Sequence, residues 1–194
     1  MATKKLRLLV AAGVAVVALF GAIGLSSTSA HAEDISVTPT HEAADYPATF
    51  YGSGDHCAAD ITANVVICAQ SRAALPALVQ ATTGKTLVLD SSASAAVTPQ
   101  STFVLGTIYS YPNYGGSSLD LYGIGTSCNG ATWGFANLAN FGWNDDIDSF
   151  KSWGTCKTTL YENANYGGAH YGPYANKATI GIMANNASSL VYSS

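Results

Sequence analysis

The chain has little charge and few basic residues. Only 10% of its 194 residues are charged, and eight Lys and Arg stand against twelve Asp and Glu, for a formal net charge of −4. Three of the basic residues lie within the first seven positions, so the sequence from Glu33 onward carries 5 − 12 = −7. An acidic surface does not attract the phosphates of nucleic acids or of anionic membranes, so neither is expected as a partner.

Long apolar runs are also scarce, and the only one is Leu8 to Leu25. It follows Lys4, Lys5 and Arg7 and precedes the small-residue site Ala30-His31-Ala32. This order is typical of a secretory signal peptide over residues 1–32. The alternative is an uncleaved membrane anchor, since an apolar run of this length can just cross a bilayer. We expect a secreted, extracellular monomer with no membrane contact after cleavage.

Cysteine is rare, and the C-x-x-C spacing of zinc sites is absent. The four cysteines are Cys57, Cys68, Cys128 and Cys156. An even number in an exported chain predicts two disulfides. Three pairings are possible; Cys57 with Cys68 and Cys128 with Cys156 keep each bridge within one segment of the chain.

Two stretches lack the periodicity of regular structure. Residues 33–50 are polar and contain Pro39 and Pro47, which predicts a flexible lead-in. Residues 91–100, "SSASAAVTPQ", have the composition of a linker. These stretches divide the chain into a segment over residues 51–90 and a domain over residues 101–194.

The 51–90 segment has the pattern of a small strand-helix unit. Asn64 to Cys68 is a β-branched run typical of a strand, and Ser71 to Thr83 has apolar residues at helical spacing ahead of Gly84. Pro76 is compatible with this helix only in its first turn, so the helix is expected to begin after Ser71.

Residues 101–194 are rich in aromatic residues and glycine. Nine of the eleven tyrosines and all three tryptophans lie here, among short alternating runs separated by turn residues such as "PNYGG". This pattern predicts an all-β domain.

The domain contains an internal repeat. The pattern Tyr-x4-Tyr-x-Gly of Tyr109–Gly116 recurs 52 residues later in Tyr161–Gly168, and "WNDDIDSF" (Trp143–Phe150) matches "MANNASSL" (Met183–Leu190) at an offset of 40. A unit of this size cannot bury its own hydrophobic face, so the two copies are expected to pack over one core. In each hairpin we expect one ring to fold over the other, with the final glycine at positive φ.

These two elements, occurring twice in the same order, resemble the signature of the βγ-crystallin superfamily. The resemblance implies a mainly β fold, a two-motif Greek-key βγ-crystallin sandwich of two antiparallel four-stranded sheets, preceded here by a small α+β segment. Some secreted microbial metalloproteinase inhibitors share this fold. The resemblance therefore also implies a binding or structural function.

In this family the loop after each hairpin helps to bind Ca²⁺. The first loop carries three carboxylates in four residues, and Asp148 stands where Ser or Thr is usual. By resemblance, the hairpin of the other repeat completes the site, so Glu162 or Asn163 should face Asp145 and Asp148. Oxygen ligands of this kind suit Ca²⁺. The expected ligands are Asn144, Asp145, Asp146, Asp148, Ser149, Glu162 and Asn163.

The second loop departs further from the family pattern, because Ala184 replaces its first Asn or Asp. It offers no carboxylate, and its partner hairpin around Ser110 and Tyr111 adds only carbonyls, so we expect weak binding or none. The residues concerned are Asn185, Asn186, Ser188 and Ser189. For the first loop the alternative is a polar turn in which Asp accepts hydrogen bonds from backbone N–H groups.

The pattern does not favour an enzyme. The carboxylates cluster on one turn rather than facing each other across a substrate, and His56 and His170 have no evident nucleophile beside them.

Two further binding functions stay open. One is inhibition of an extracellular protease through the insert between Cys128 and Trp143, which is extra relative to the second repeat. The other is glycan or cell-wall binding, including an antimicrobial role, through exposed tyrosine rings. The candidates for these rings are Tyr111, Tyr122, Tyr171 and Tyr174.

Overall fold

Short β-strands make up most of the fold. The computed structural model describes residues 38–89, 101–124 and 128–194, so the predicted signal peptide and the 91–100 linker lie outside the described residues. The elements in chain order are β1 (His41–Glu42), β2 (Thr49–Gly52), β3 (His56–Asp60), β4 (Val65–Ala69), α1 (Leu75–Thr83), β5 (Thr86–Val88), β6 (Ser101–Tyr111), β7 (Gly115–Ile124), β8 (Trp133–Phe135), β9 (Ser149–Ser152), β10 (Lys157–Tyr161), β11 (His170–Tyr174), β12 (Asn176–Lys177) and β13 (Ser189–Ser193). Short 3₁₀ turns occur at Arg72–Ala74, Pro112–Tyr114, Leu138–Phe141, Ala164–Tyr166 and Gly181–Met183.

The strands after residue 100 form two four-stranded groups, as the resemblance implies. One has the order β8-β13-β10-β11 and the other β12-β9-β6-β7, and each neighbouring pair is antiparallel. The third strand of each repeat, β8 or β12, lies in the sheet built mainly by the other repeat. This exchange gives the Greek-key sandwich, and the predicted fold class is confirmed.

The strands before residue 90 extend both sheets. β1 pairs in parallel with β8, and β3 pairs in parallel with β7 from His56–Ser118 to Asp60–Tyr122. β4 and β2 continue the same sheet, and β5 pairs with β6. Residues 51–89 are therefore built into the Greek-key sheets, because β7 offers an edge that β3 covers.

The lead-in predicted to be flexible is held against the domain from Thr40 onward. The N–H of His41 donates to the Thr132 carbonyl at 2.9 Å, and the His41 ring stacks on Trp133 with centroids 4.1 Å apart. Tyr166 donates its hydroxyl proton to Glu42 Oε1 at 2.9 Å. These contacts join residues that are far apart in sequence, so local composition did not reveal them.

The predicted helix begins later than Ser71. α1 starts at Leu75 with Pro76 in its first turn, and its last residue, Thr83, is followed by Gly84, whose φ of +72° is the left-handed conformation that favours glycine. Leu75 and Val79 are buried beneath it. They belong to a small second core with Ala58, Ile67, Ala69, Leu87, Val104 and Tyr122.

The main core lies between the two sheets. Side chains alternate between the two faces of each strand, and the apolar residues of both repeats point into this core. The internal repeat predicted such a shared core. The largest fully buried side chains of the core are Leu105, Ile108, Leu119, Leu121, Phe135, Leu138, Phe141, Phe150 and Tyr192.

Two buried aspartates are held by ion pairs, and one of them, Asp120, connects the N-terminal elements to the rest of the fold. Asp120 on β7 is fully buried and accepts hydrogen bonds from Arg72 at 2.8 to 3.1 Å and from Thr107 Oγ1 at 2.5 Å. Asp60 on β3, also fully buried, pairs with Lys85. Charge-assisted bonds of this kind offset the desolvation of the buried carboxylates.

Both disulfides are local. Cys57 and Cys68 face each other across the β3–β4 hairpin, and Cys128 joins Cys156. Of the three possible pairings, the one that respects the segments of the chain is confirmed.

Candidate cation-binding loops

The two predicted loops lie side by side and exchange backbone hydrogen bonds. The N–H of Asp145 donates to the Ala187 carbonyl, and the N–H of Asn185 donates to the Ile147 carbonyl, both at 3.0 Å. The donors Asp145 and Asn185 are separated by the offset of 40 residues that relates the two loops, and so are the acceptors Ile147 and Ala187. The duplication has thus produced a local pseudo-two-fold arrangement of the loops.

Each loop is also tied to the hairpin of its own repeat. The N–H of Asp148 donates to the Tyr109 carbonyl, and the N–H of Ser188 donates to the Tyr161 carbonyl, both at 2.9 Å. Asp148 therefore lies beside the first hairpin. Ser188, its counterpart, lies beside the second hairpin, just before Glu162.

The side chains pair across the two loops. Ser188 donates its hydroxyl proton to Asp145 Oδ1 at 3.2 Å, while Asn185 Nδ2 donates to Asp148 Oδ1 at 2.9 Å. The structure thus forms two polar groups, one around Asp145 and Ser188 and one around Asp148 and Asn185. Asp148 was expected to join Asp145 in the first site; in the structure each of the two carboxylates contacts a different residue of the second loop.

A backbone requirement explains the residue type at the second position of each loop. Asp145 and Asn185 both have φ of 55°, in the left-handed region that Asp and Asn adopt more readily than most residues. An Asp or Asn here is favoured by the turn itself. The sequence pattern therefore has a structural cause that is independent of any bound ion.

The last serine of each loop is fully buried and holds a hairpin. Ser149 Oγ donates to the Tyr111 carbonyl at 2.7 Å and accepts from the Tyr114 N–H at 3.0 Å. Ser189 makes the corresponding contacts with Asn163 O, at 2.6 Å, and Tyr166 N, at 3.0 Å. Both hydroxyls are fully engaged, which gives them a structural role.

The hairpin corners have the geometry predicted for them. The ring centroids of Tyr109 and Tyr114 are 5.7 Å apart in an edge-to-face arrangement, as are those of Tyr161 and Tyr166. The closing glycines, Gly116 and Gly168, have φ of +75° and +77°.

Other predicted residues lie at the rim of the loops. Glu162 is exposed and its Oε2 accepts from the Ala169 N–H at 3.1 Å, which holds the carboxylate on its own hairpin. Asn144 is exposed and donates to Asp145 Oδ2 at 2.6 Å. Asn186 donates to two carbonyls of its own turn.

The first loop concentrates negative charge. Partial burial raises the pKa of Asp146, and the neighbouring Asp148 carboxylate raises it further. Among residues 38–89, 101–124 and 128–194, no three His, Cys, Asp or Glu side chains are grouped so as to hold a metal ion. Any cation bound here would therefore depend on one carboxylate per group, completed by hydroxyl, amide and carbonyl oxygens.

This donor set fits Ca²⁺. Its members are all hard oxygen donors, and Ca²⁺ accepts carboxylate, hydroxyl and backbone carbonyl oxygens in irregular geometry. Asp145 and Asp148 would each supply the charged oxygen of one group. The three acidic residues of the loop also repel one another, and a bound cation would relieve that repulsion.

One contact that bears on catalysis was missed in the sequence. His56 Nδ1 lies 2.9 Å from Ser118 Oγ, a pairing that the β3–β7 register creates between distant positions. Ser118 is only 1% exposed, so its hydroxyl cannot reach a substrate. The contact joins the N-terminal elements to β7.

The candidate surfaces for the other functions are only partly exposed. Trp133 and Phe135 of the insert lie in the main core, so these aromatics cannot contact a protease. Tyr122 is fully buried, which removes it from the set of rings proposed for glycans. Tyr111 and Tyr174 are exposed at 63% and 40%.

No helix within the described ranges is long and apolar enough to cross a membrane.

Comparisons with solved structures find several similar domains, and those from Flavobacterium johnsoniae and Clostridium beijerinckii are βγ-crystallin domains. The N-terminal domain of protein S is 27% identical and matches 45% of this chain and 94% of its own length, with a TM-score of 0.38. A domain from Flavobacterium johnsoniae is 26% identical, with coverages of 45% and 92% and a TM-score of 0.35. A domain from Clostridium beijerinckii is 24% identical, with coverages of 46% and 99% and a TM-score of 0.38.

No protein-family model and no curated protein matches the sequence. The duplicated corners, the paired loops and the exchange of β8 and β12 are features of this chain's own structure. By these features, the described part of residues 101–194 has the two-motif Greek-key fold of the βγ-crystallin superfamily.

Proposed function

We propose that this protein is a secreted, extracellular, non-enzymatic βγ-crystallin-like protein that binds Ca²⁺ at the paired loops and gains stability from it. The observation that carries the proposal is the reciprocal pairing of the loops, which sets one carboxylate, Asp145 or Asp148, in each of two oxygen-rich groups. The two disulfides fit an oxidising compartment.

The second loop gains a role in this proposal. Its own sequence provides no carboxylate, but Asp148 of the first loop lies against Asn185 and supplies one. Asp145 in turn lies against Ser188 of the second loop. The first loop thus contributes the charge of both groups, which makes both competent for a cation.

The expected affinity is weak, on the order of 10⁻⁴ to 10⁻³ M, as for other extracellular Ca²⁺ modules. A ligand that binds only the folded state stabilises it by RT ln(1 + [L]/Kd), so at ten times Kd each group adds about 1.4 kcal/mol. This suits a structural ion at extracellular calcium levels.

Calorimetric titration of Ca²⁺ into Asp145→Asn and Asp148→Asn tests the two groups separately. Asparagine retains the backbone preference for positive φ at position 145, so the substitution changes charge with little change in the turn. We expect each variant to lose binding at one group and the double variant to lose both. Asp55→Asn, an exposed aspartate on the loop before β3, is the matched control and should bind as the wild type does.

Unchanged binding in the double variant would place the ion elsewhere. If either single variant abolished all binding, the two aspartates would share one ion, as the sequence alone suggested.

A further inference from the structure

An exposed turn, Cys128–Ala131, opens the insert of the first repeat. The Ala131 N–H donates to the Cys128 carbonyl at 3.4 Å, and the two central residues, Asn129 and Gly130, are exposed. Gly130 has φ of +70°, which glycine adopts without strain. Apart from its chain neighbours, no heavy atom lies within 4 Å of the place where its Cβ would be. Gly130 is therefore an uncrowded position at the tip of the turn.

Asn129 is the only asparagine in the sequence that is followed by glycine. Asparagine is one of the thermolabile residues, because the backbone nitrogen of the following residue can attack its side-chain carbonyl carbon. A Cβ on the following residue hinders this approach, whereas glycine has none. The sequence around Asn129 is therefore the one in this chain that favours the attack most.

The fold also holds the backbone nitrogen that follows two other exposed asparagines. After Asn113, the Tyr114 N–H donates to the hydroxyl of a buried serine at 3.0 Å. After Asn165, the Tyr166 N–H does the same with the equivalent serine of the second repeat, also at 3.0 Å. Within the described part of the chain, the Gly130 N–H donates no hydrogen bond. The nitrogen beside Asn129 is therefore not held away from the side-chain amide in this way.

We propose that Asn129 is a site of spontaneous deamidation in the folded protein. The Gly130 nitrogen forms a bond to Asn129 Cγ and gives up its proton, and the Nδ2 group leaves as ammonia, so that a five-membered succinimide ring forms. Water then opens the ring at either of its carbonyls, and the product is aspartate or isoaspartate. The net reaction consumes one water and releases one ammonia, and it requires no enzyme or cofactor.

The fold should tolerate this modification, because both ends of the turn are anchored. Cys128 is joined to Cys156 by a disulfide, and Thr132, which follows Ala131, exchanges hydrogen bonds with Thr40. Deamidation adds one negative charge at the exposed tip between these anchors, and isoaspartate also adds one carbon to the main chain. Exposed turns are the places where changes of this kind are best tolerated. We therefore expect the modified protein to stay folded and to accumulate as a more acidic form.

The test is incubation of the mature, oxidised protein in mildly alkaline buffer at physiological temperature, followed by digestion and peptide mass spectrometry. We expect the peptide that contains Asn129 to acquire the mass of an OH group in place of NH₂, as a mixture of aspartate and isoaspartate. The peptides that contain Asn113 and Asn165 should stay unchanged. Ion-exchange chromatography of the intact protein should show a matching species with one additional negative charge.

Asn129→Gln keeps a side-chain amide but would have to form a larger ring, so the acidic species should be lost in this variant. Asn176→Gln, at another exposed asparagine, is the matched control and should form the species as the wild type does. No change at Asn129 in the folded protein, or the same acidic species in Asn129→Gln, would overturn the proposal. So would equal deamidation at Asn113 or Asn165, because the hydrogen bonds of the fold would then not select the site. Because the buffer contains EDTA, the result does not depend on the calcium proposal.

Discussion

Removal of the Arg72 guanidinium should destabilise the whole fold. Arg72 Nε lies 2.8 Å from Asp120 Oδ2, and Nη2 lies 2.9 Å from Oδ1. Asp120 is fully buried, whereas a quarter of the arginine side chain is exposed. In Arg72→Met the Asp120 carboxylate still accepts the hydrogen bond from the Thr107 hydroxyl. It loses the positive charge that balances its own, and it stays buried away from water.

Breaking a buried pair by removing one partner costs roughly 3 to 5 kcal/mol. The exposure of Arg72 favours the lower end, about 3 kcal/mol, because solvent screens part of the interaction. For a chain of this size that free energy corresponds to a fall in Tm of roughly 6 to 12 °C. Methionine preserves most of the apolar stem, so lost packing contributes little.

The assay is a thermal melt of the oxidised protein followed by circular dichroism, with Lys157→Met as the control for loss of an exposed, unpaired cation. The control should change Tm by less than about 2 °C. Arg72→Met/Asp120→Asn should recover part of the loss, because the buried group is then neutral. If the Tm of Arg72→Met fell no further than that of the control, the N-terminal elements would not depend on this ion pair.

Two further predictions concern the disulfides and the acidic loop. Replacing Cys128 and Cys156 by alanine should destabilise the fold more than replacing Cys57 and Cys68, because their bridge closes the longer loop, with a sequence separation of 28 against 11. From loop entropy, the loss of either disulfide should lower the free energy of unfolding by roughly 3 kcal/mol, and the two losses should differ by about 0.8 kcal/mol. Denaturant melts in which the Cys57/Cys68 variant was the less stable would contradict this prediction. Because the folded-state pKa of Asp146 is raised, its contribution to stability is present at low pH and is lost as pH rises through that pKa. In EDTA, Asp146→Asn should therefore be more stable than the wild type at pH 7 and equal to it at about pH 3; a difference that did not change with pH would be contrary to this.

The Greek-key domain could be predicted because its determinants are local and duplicated. The Tyr109–Gly116 and Tyr161–Gly168 hairpins each contain, within a short stretch, the aromatic pair and the glycine that the corner requires. Repetition of the pattern made a chance match improbable. The alternating strands around these corners then follow from the same segment of sequence.

The role of the N-terminal residues could not be predicted, because it depends on contacts between distant positions. The lead-in is polar and contains prolines, yet His41 stacks on Trp133 and Glu42 accepts a hydrogen bond from Tyr166. Likewise β3 pairs with β7, which follows it only after β4, α1, β5 and β6. The local sequence shows only that these residues lack the periodicity of a helix or a strand, and it does not indicate which distant residues they contact.

The site was predicted in part. The first loop was found from its carboxylates, but the pairing of Asp148 with Asn185 follows from the pseudo-two-fold arrangement of the loops, which only the folded repeats define. Nothing in the sequence indicated that the Asp145 position requires positive φ. A left-handed turn and a cation site thus favour the same residue types at this position.

The most direct measurement is a thermal melt of the mature, oxidised protein in EDTA, in about 5 mM CaCl₂ and in the same concentration of MgCl₂, which exceeds the weak extracellular range of affinities. With Ca²⁺ we expect a rise in Tm of roughly 3 to 6 °C for each occupied group, since about 1.4 kcal/mol is gained at ten times Kd, and a smaller rise with Mg²⁺. The rise should disappear in Asp145→Asn/Asp148→Asn. Equal melting temperatures in EDTA and in Ca²⁺ would contradict the proposed stabilisation by Ca²⁺ and leave residues 144–149 as a solvated turn.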